Sequence, residues 1–136
     1  MMYRSKTSVL RCVVFLGMCT LSGCGGPQFG FVSGQVTLDG KPLPDISVRF
    51  EDEGGSAAIA RTDKAGKYEM RYTVDHMGAP VGKHKVTIFT PAPLSDGTGE
   101  RALPEIVPAK YNSKSTLTQD VKSGSQVCNF ELTSKP

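Results

Sequence analysis

Only a few side chains in this sequence are equipped for chemistry, and their spacing decides what each can do. His76 and His84 are the only histidines, and no His-x-x-x-His or Cys-x-x-Cys pair accompanies them to complete a zinc set. Hard oxygen ligands for calcium exist in Glu51-Asp52-Glu53, with Asp63 and Asp75 further on, but the Asp-x-Asp-x-Asp-Gly spacing of a calcium loop is absent. That acidic run reads as a solvated turn. No Gly-x-Ser-x-Gly elbow marks a nucleophilic serine, and no two carboxylates are set apart as acid and base. The glycines follow turns rather than a strand-to-helix junction, so no phosphate cradle is expected. Catalytic residues, metal ligands and cofactors are all expected to be none, and the chain is read as not an enzyme. Sulfur remains: Cys12, Cys19, Cys24 and Cys128.

Cys24 ends a segment with the three parts of a secretory signal. Arg4, Lys6 and Arg11 form a positive stretch with no acid before Asp39, Cys12 to Leu21 supply a short apolar core, and small residues follow. An apolar run of about ten residues is too short to span a bilayer, which needs roughly 20. Leu21-Ser22-Gly23-Cys24 resembles a bacterial lipobox. The resemblance implies cleavage between Gly23 and Cys24 and lipid attachment, a diacylglyceryl group, at Cys24. An uncleaved signal anchor and an ordinary secretory signal are the competing readings. The expected organisation is a signal peptide over 1–23, a lipidated tether over 24–30 and one domain over 31–136. The expected location is the cell envelope, lipid-anchored to a membrane and facing the periplasm or in the outer membrane. Gly25 and Gly26, neither of them acidic, favour the outer membrane.

Cleavage would change the composition. Of 136 residues 113 would remain, enough for one small domain with its own core. The signal holds three of the 16 basic residues and none of the 13 acids, leaving a neutral 13 of each. A neutral domain carries no long-range field for a polyanion, which excludes nucleic acid as a partner. Cys128 would be the only cysteine left with a free thiol, so no internal disulfide can form. Alternation in Gln126 to Leu132 puts Cys128 on the face of Phe130 and Leu132 and predicts a buried structural thiol.

The elements that must position these residues are strands throughout. Phe31 to Leu38 leads into the tight turn Asp39-Gly40, and Lys41-Pro42-Leu43-Pro44 delays the next strand. Ile46 to Phe50 alternates apolar and polar, Ala57 to Thr62 is weaker, and Asp63-Lys64-Ala65-Gly66 turns the chain into Lys67 to Tyr72. Tyr68, Met70 and Tyr72 share a face. His84 to Thr90 is the best central strand, with His84, Val86 and Ile88 facing the core. Residues 91–110 are rich in Pro and Gly and irregular, with Leu94, Leu103, Ile106 and Val107 available to cover the core and Tyr111 to close its open end. Leu117 to Val121 and Val127 to Leu132 complete the set, joined through Ser123-Gly124-Ser125. About seven short strands with no helical periodicity predict an all-β, antiparallel Ig-like sandwich.

The order of the pieces is more specific than their number. Gly34-x-Val36-x-x-Asp39-Gly40-Lys41-Pro42-Leu43-Pro44 precedes Val48-x-Phe50. Thr62-Asp63-x-x-Gly66-x-Tyr68, Ala79-Pro80-x-Gly82 before His84-x-Val86-x-Ile88, and Pro108-Ala109-Lys110-Tyr111 follow. Across residues 31–133 this is similar to the transthyretin-like, carboxypeptidase regulatory-like β-sandwich of small bacterial lipoproteins. The resemblance implies a folding, adhesion or accessory module. It does not carry over hydrolase activity, because the chain ends Glu131-Leu132-Thr133-Ser134-Lys135-Pro136 without the serine-rich signature of transthyretin-related hydrolases.

The expectation is a membrane-anchored, non-enzymatic envelope protein acting as a structural or protein-interaction module. Its partners would be the membrane, through the N-terminal lipid, and an envelope protein or glycan whose identity the sequence leaves open. The alternative is a small-ligand or glycan-binding lipoprotein using the 91–110 loop, since long loops on rigid scaffolds commonly carry function. Its ligand-binding residues are unknown.

Overall fold

The computed structural model describes residues 28–92 and 103–135. Ten strands, several of them only two to four residues long, form two sheets that pack face to face as an all-β sandwich. The signal segment, the Gly23-Cys24 bond and the 93–102 part of the loop lie outside the described residues.

The first sheet is built around one long strand, β1 (Phe29–Leu38). One edge of β1 takes three short antiparallel partners in turn: β6 (Ala79–Pro80), β5 (Lys67–Glu69) and β2 (Lys41–Pro42). The other edge takes β9 (Gly124–Val127) and β10 (Phe130–Leu132), both parallel to it. Parallel pairing is the one feature of the sheet that the expected antiparallel sandwich does not contain. The register is unbroken across the gap, Ser33 facing Val127 and Val36 facing Phe130. Within the gap, Cys128 N–H donates to the Ser33 carbonyl (2.8 Å). The Asn129 side-chain oxygen then accepts from Gln35 N–H at 3.0 Å, taking the place of a main-chain acceptor. The expected link Ser123-Gly124-Ser125 is thus mostly strand.

The second sheet is antiparallel, in the order β4 (Ala57–Arg61), β3 (Ser47–Asp52), β7 (Gly82–Phe89), β8 (Thr118–Val121). Period-two alternation places Val48 and Phe50 opposite Ile88 and Val86, all four fully buried. Fully burying a side chain of this kind contributes about 1.5–3 kcal/mol. Val36, Met70 and Leu132 meet them from the first sheet. Tyr68 and Met70 are buried as expected, whereas Tyr72 packs only partly against the core because β5 ends at Glu69.

Local chemistry sets the turns. Asp39 and Gly40 both adopt positive φ (50° and 80°), the combination a two-residue hairpin requires. Asp63 Oδ1 accepts from the N–H groups of Ala65 (2.8 Å) and Lys67 (2.9 Å). Gly66 has φ +72°, and a Cβ there would lie 2.6 Å from the Val36 carbonyl oxygen. β1 begins two residues inside the stretch expected to be tether: Phe29 pairs with Pro80, and the Gln28 carbonyl accepts from Val81 N–H at 2.7 Å. The folded unit therefore includes Gln28, Phe29 and Gly30, because these bonds hold the chain before Phe31.

Candidate interaction surface

The sandwich brings the expected residues to very different places. His84 is 1% exposed, and its Nε2–H donates to the Pro80 carbonyl at 2.7 Å, which fixes the ring against the β6–β7 bend. Its Nδ1 has no partner among the described residues. His76 sits on the turn between β5 and β6, hydrogen-bonded through Nδ1 to Thr73 Oγ1 at 3.0 Å and stacked on Phe29. The two imidazoles thus serve separate structural contacts. Asp52 caps its own turn, accepting from Ser56 N–H at 2.9 Å, and Glu51 pairs with Arg49 at 2.8 Å. Among the described residues, no three His, Cys, Asp or Glu side chains converge as a metal set would.

Cys128 is buried in the gap between β9 and β10, and burial pushes its thiol above the ordinary range. Its carbonyl receives the Tyr68 hydroxyl at 2.5 Å. Burial also raises the Tyr68 phenol strongly, with the nearby Cys128 adding to it. Gly34 lies against the same carbonyl: a Cβ there would stand 1.9 Å from Cys128 O. A glycine, a tyrosine and a cysteine far apart in sequence thereby pin β5 and the C-terminal strands to β1.

The 91–110 segment is anchored by one carboxylate. Glu105 accepts from Thr90 N–H (3.1 Å), Thr90 Oγ1–H (2.8 Å), Val107 N–H (2.8 Å) and Asn112 Nδ2–H (2.6 Å). Val107 is buried, while Leu103 and Ile106 are about half exposed, so only one of these three apolar residues covers the core. A short 3-10 turn (Ala109–Tyr111) follows, and Tyr111 packs against the edge of the core as expected. Its hydroxyl accepts from Thr133 N–H at 3.2 Å, and the Thr133 contacts hold the phenol below its ordinary range. Lys110 Nζ donates to Thr133 Oγ1 (3.0 Å) and to the Lys135 carbonyl. Asp39 accepts from Ser134 N–H (2.9 Å) and Ser134 Oγ–H (2.6 Å), which lowers its carboxyl. The tail is thus latched to the first hairpin.

Open surface lies on the outer face of the first sheet. Because β5 is only three residues long, the face beyond Glu69 is left uncovered, and two adjoining hollows share Ser33, Glu69 and Met77. The larger, about 440 Å³, is ringed by Arg61, Asp63, Lys67 and Arg71; the smaller, about 340 Å³, is apolar, with Phe31 and Met70. Phe31 is 59% exposed and Val127, beside Ser33, 71%.

Sequence reasoning gave no bonding role to Thr62, Glu105 or Ser134, because the partners Leu43, Thr90 and Asp39 lie 19, 15 and 95 positions away. Asn129 carried a signal: a poor strand former inside an otherwise strand-like run. No family model and no curated protein sequence matches the chain.

Proposed function

We propose that this chain is a lipid-anchored cell-envelope protein whose sandwich acts as a non-enzymatic structural or protein-interaction module. The observation that carries the reading is Leu21-Ser22-Gly23-Cys24 at the end of a basic-then-apolar segment, ahead of a folded unit that includes Gln28 and Phe29. Support also comes from how the reactive side chains are used. His84, Asp63, Glu105 and Tyr68 are each committed to a contact that holds backbone in place. The ordered motifs and the sandwich together favour a transthyretin-like, carboxypeptidase regulatory-like module.

Mass analysis of the mature N-terminus from envelope fractions tests the anchor, wild type against Cys24→Ala. A diacylglyceryl mass on Cys24, lost in the variant along with membrane association, is expected. An unmodified Cys24 in membrane-bound wild type overturns the reading. A second reading, ligand or glycan binding by the 91–110 loop, draws on exposed Leu103 and Ile106 beside the Glu105 clasp. Deleting the loop tip separates the two: lost glycan binding with an intact fold supports the second reading, and unchanged partner capture supports the first.

A further inference from the structure

Three exposed apolar side chains gather where the chain enters the sandwich. Phe31, 59% exposed, lies two residues into β1. Val81, 42% exposed, belongs to the bend whose N–H binds the Gln28 carbonyl. Val74, 85% exposed, tips the turn between β5 and β6, which Tyr72 and His76 fasten to the Phe29 ring at centroid distances of 5.2 and 5.3 Å. All three are therefore tied to Gln28–Phe31 by bonds or ring contacts rather than carried on a free loop.

Covalent geometry limits how far this end can stand from the anchor. Five residue steps separate Cys24 from Phe29, a reach of at most about 18 Å even when fully extended. The headgroup layer and the acyl boundary lie within that distance of a lipidated Cys24. Charged groups of both signs flank this end: Lys83 is paired in register with Asp120 and lies beside Glu51, Asp52 and Glu53, Lys122 follows Val121, and Asp75 flanks Val74. An end with no excess of basic residues and with projecting apolar side chains suits a zwitterionic interface better than an anionic one.

We propose that Phe31, Val74 and Val81 form an apolar rim that seats this end of the sandwich in the interfacial layer of a phospholipid bilayer. The rim would hold β1 steeply to the membrane, with the Asp39-Gly40 turn at the far end. The inference rests on the anchor at Cys24 and adds a second, non-covalent contact to it.

The chain has no tryptophan, so single probes report cleanly. Lipidated protein carrying Phe31→Trp, Val74→Trp, Val81→Trp or, at the far end, Lys41→Trp is reconstituted into phosphatidylcholine vesicles with brominated acyl chains. At the three rim positions quenching of about twofold or more, with a blue shift insensitive to salt, is expected. Lys41→Trp should remain unquenched. Equal, weak quenching at all four sites in protein that floats with the vesicles overturns the rim but leaves the anchor standing. Protein that fails to float overturns both. A blue shift that grows with protein concentration in the absence of vesicles overturns the rim in favour of self-association. Val74 is the safeguard against misfolding, since its exposed turn tolerates the larger ring.

Discussion

Replacing Thr62 with valine isolates what two buried hydrogen bonds contribute. Thr62 is 2% exposed; its Oγ1–H donates to the Leu43 carbonyl at 2.7 Å, and Oγ1 accepts from Ile46 N–H at 2.9 Å. The hydroxyl therefore satisfies both sides of the stretch that brings the chain from the first sheet into β3. Valine keeps the branched shape but strands one donor and one acceptor in the core. Each buried group left without a partner costs about 1–3 kcal/mol, and burying a methyl in place of a hydroxyl returns part of that. A net loss of about 2–4 kcal/mol follows, a large share of the stability of a domain this size. Thr62→Ser keeps the oxygen and loses one methyl, at about 1 kcal/mol. Urea unfolding followed by circular dichroism measures both, with an unchanged m-value confirming that the denatured state is unaltered. By thermal melting, 1 kcal/mol corresponds to roughly 4–8 °C, so the valine variant should melt about 8–32 °C lower. A valine variant as stable as wild type, or one more stable than Thr62→Ser, would refute the reasoning.

Three further outcomes are expected. Gly34→Ala should fail to fold or lose more than about 3 kcal/mol, since its Cβ would collide with backbone at Cys128 O; wild-type solubility and melting would contradict the close approach. In an ultraviolet pH titration Tyr111 should ionise before Tyr68, and the contribution of buried Tyr68 and Cys128 to stability should fall as pH climbs. Tyr68 and Cys128 are both raised in the folded state, so their contribution is whole below their unfolded values (10.0 and 9.0) and lost above them. A stability flat from pH 8 to about 11 contradicts that sign. In the mature wild-type protein, with Cys24 blocked by lipid, Cys128 should resist a thiol reagent until denaturant is added, whereas prompt native-state labelling would place it at the surface.

Much of the core was legible in sequence. Val48 and Phe50 on β3, and His84, Val86 and Ile88 on β7, are buried on the faces that alternation assigns them. Alternation is a property of the extended backbone itself, so six residues suffice to read it. The turns were legible for the same reason: Asp39-Gly40 and Asp63 to Gly66 use bonds and dihedrals confined to a few adjacent residues. Strand ends were less so. β5 stops at Glu69 although Met70 and Tyr72 continue the pattern: Met70 N–H still reaches its register partner, the Val32 carbonyl, but the Met70 carbonyl accepts from Gly78 N–H and Arg71 pairs with Ile59 and Met77 instead of β1. The loop reading placed Val107 in the core correctly but offered Leu103 and Ile106 alike, and only the Glu105 clasp decides which of them is turned inward.

By itself, the sequence determined a Cys24 motif, a β composition, and the inward and outward faces of the longer strands. Each of these is written in neighbouring residues, whose covalent spacing fixes their relation before anything folds. Tertiary structure alone decided that β9 and β10 join β1 in parallel, that Gly34 must be bare beneath Cys128, and that Thr62 bridges Leu43 to Ile46. Those facts join residues up to about a hundred positions apart. Closing such loops costs chain entropy that no local pattern records. Only the combined burial of both sheets offsets it, so these contacts exist in the assembled sandwich and nowhere along the chain before that.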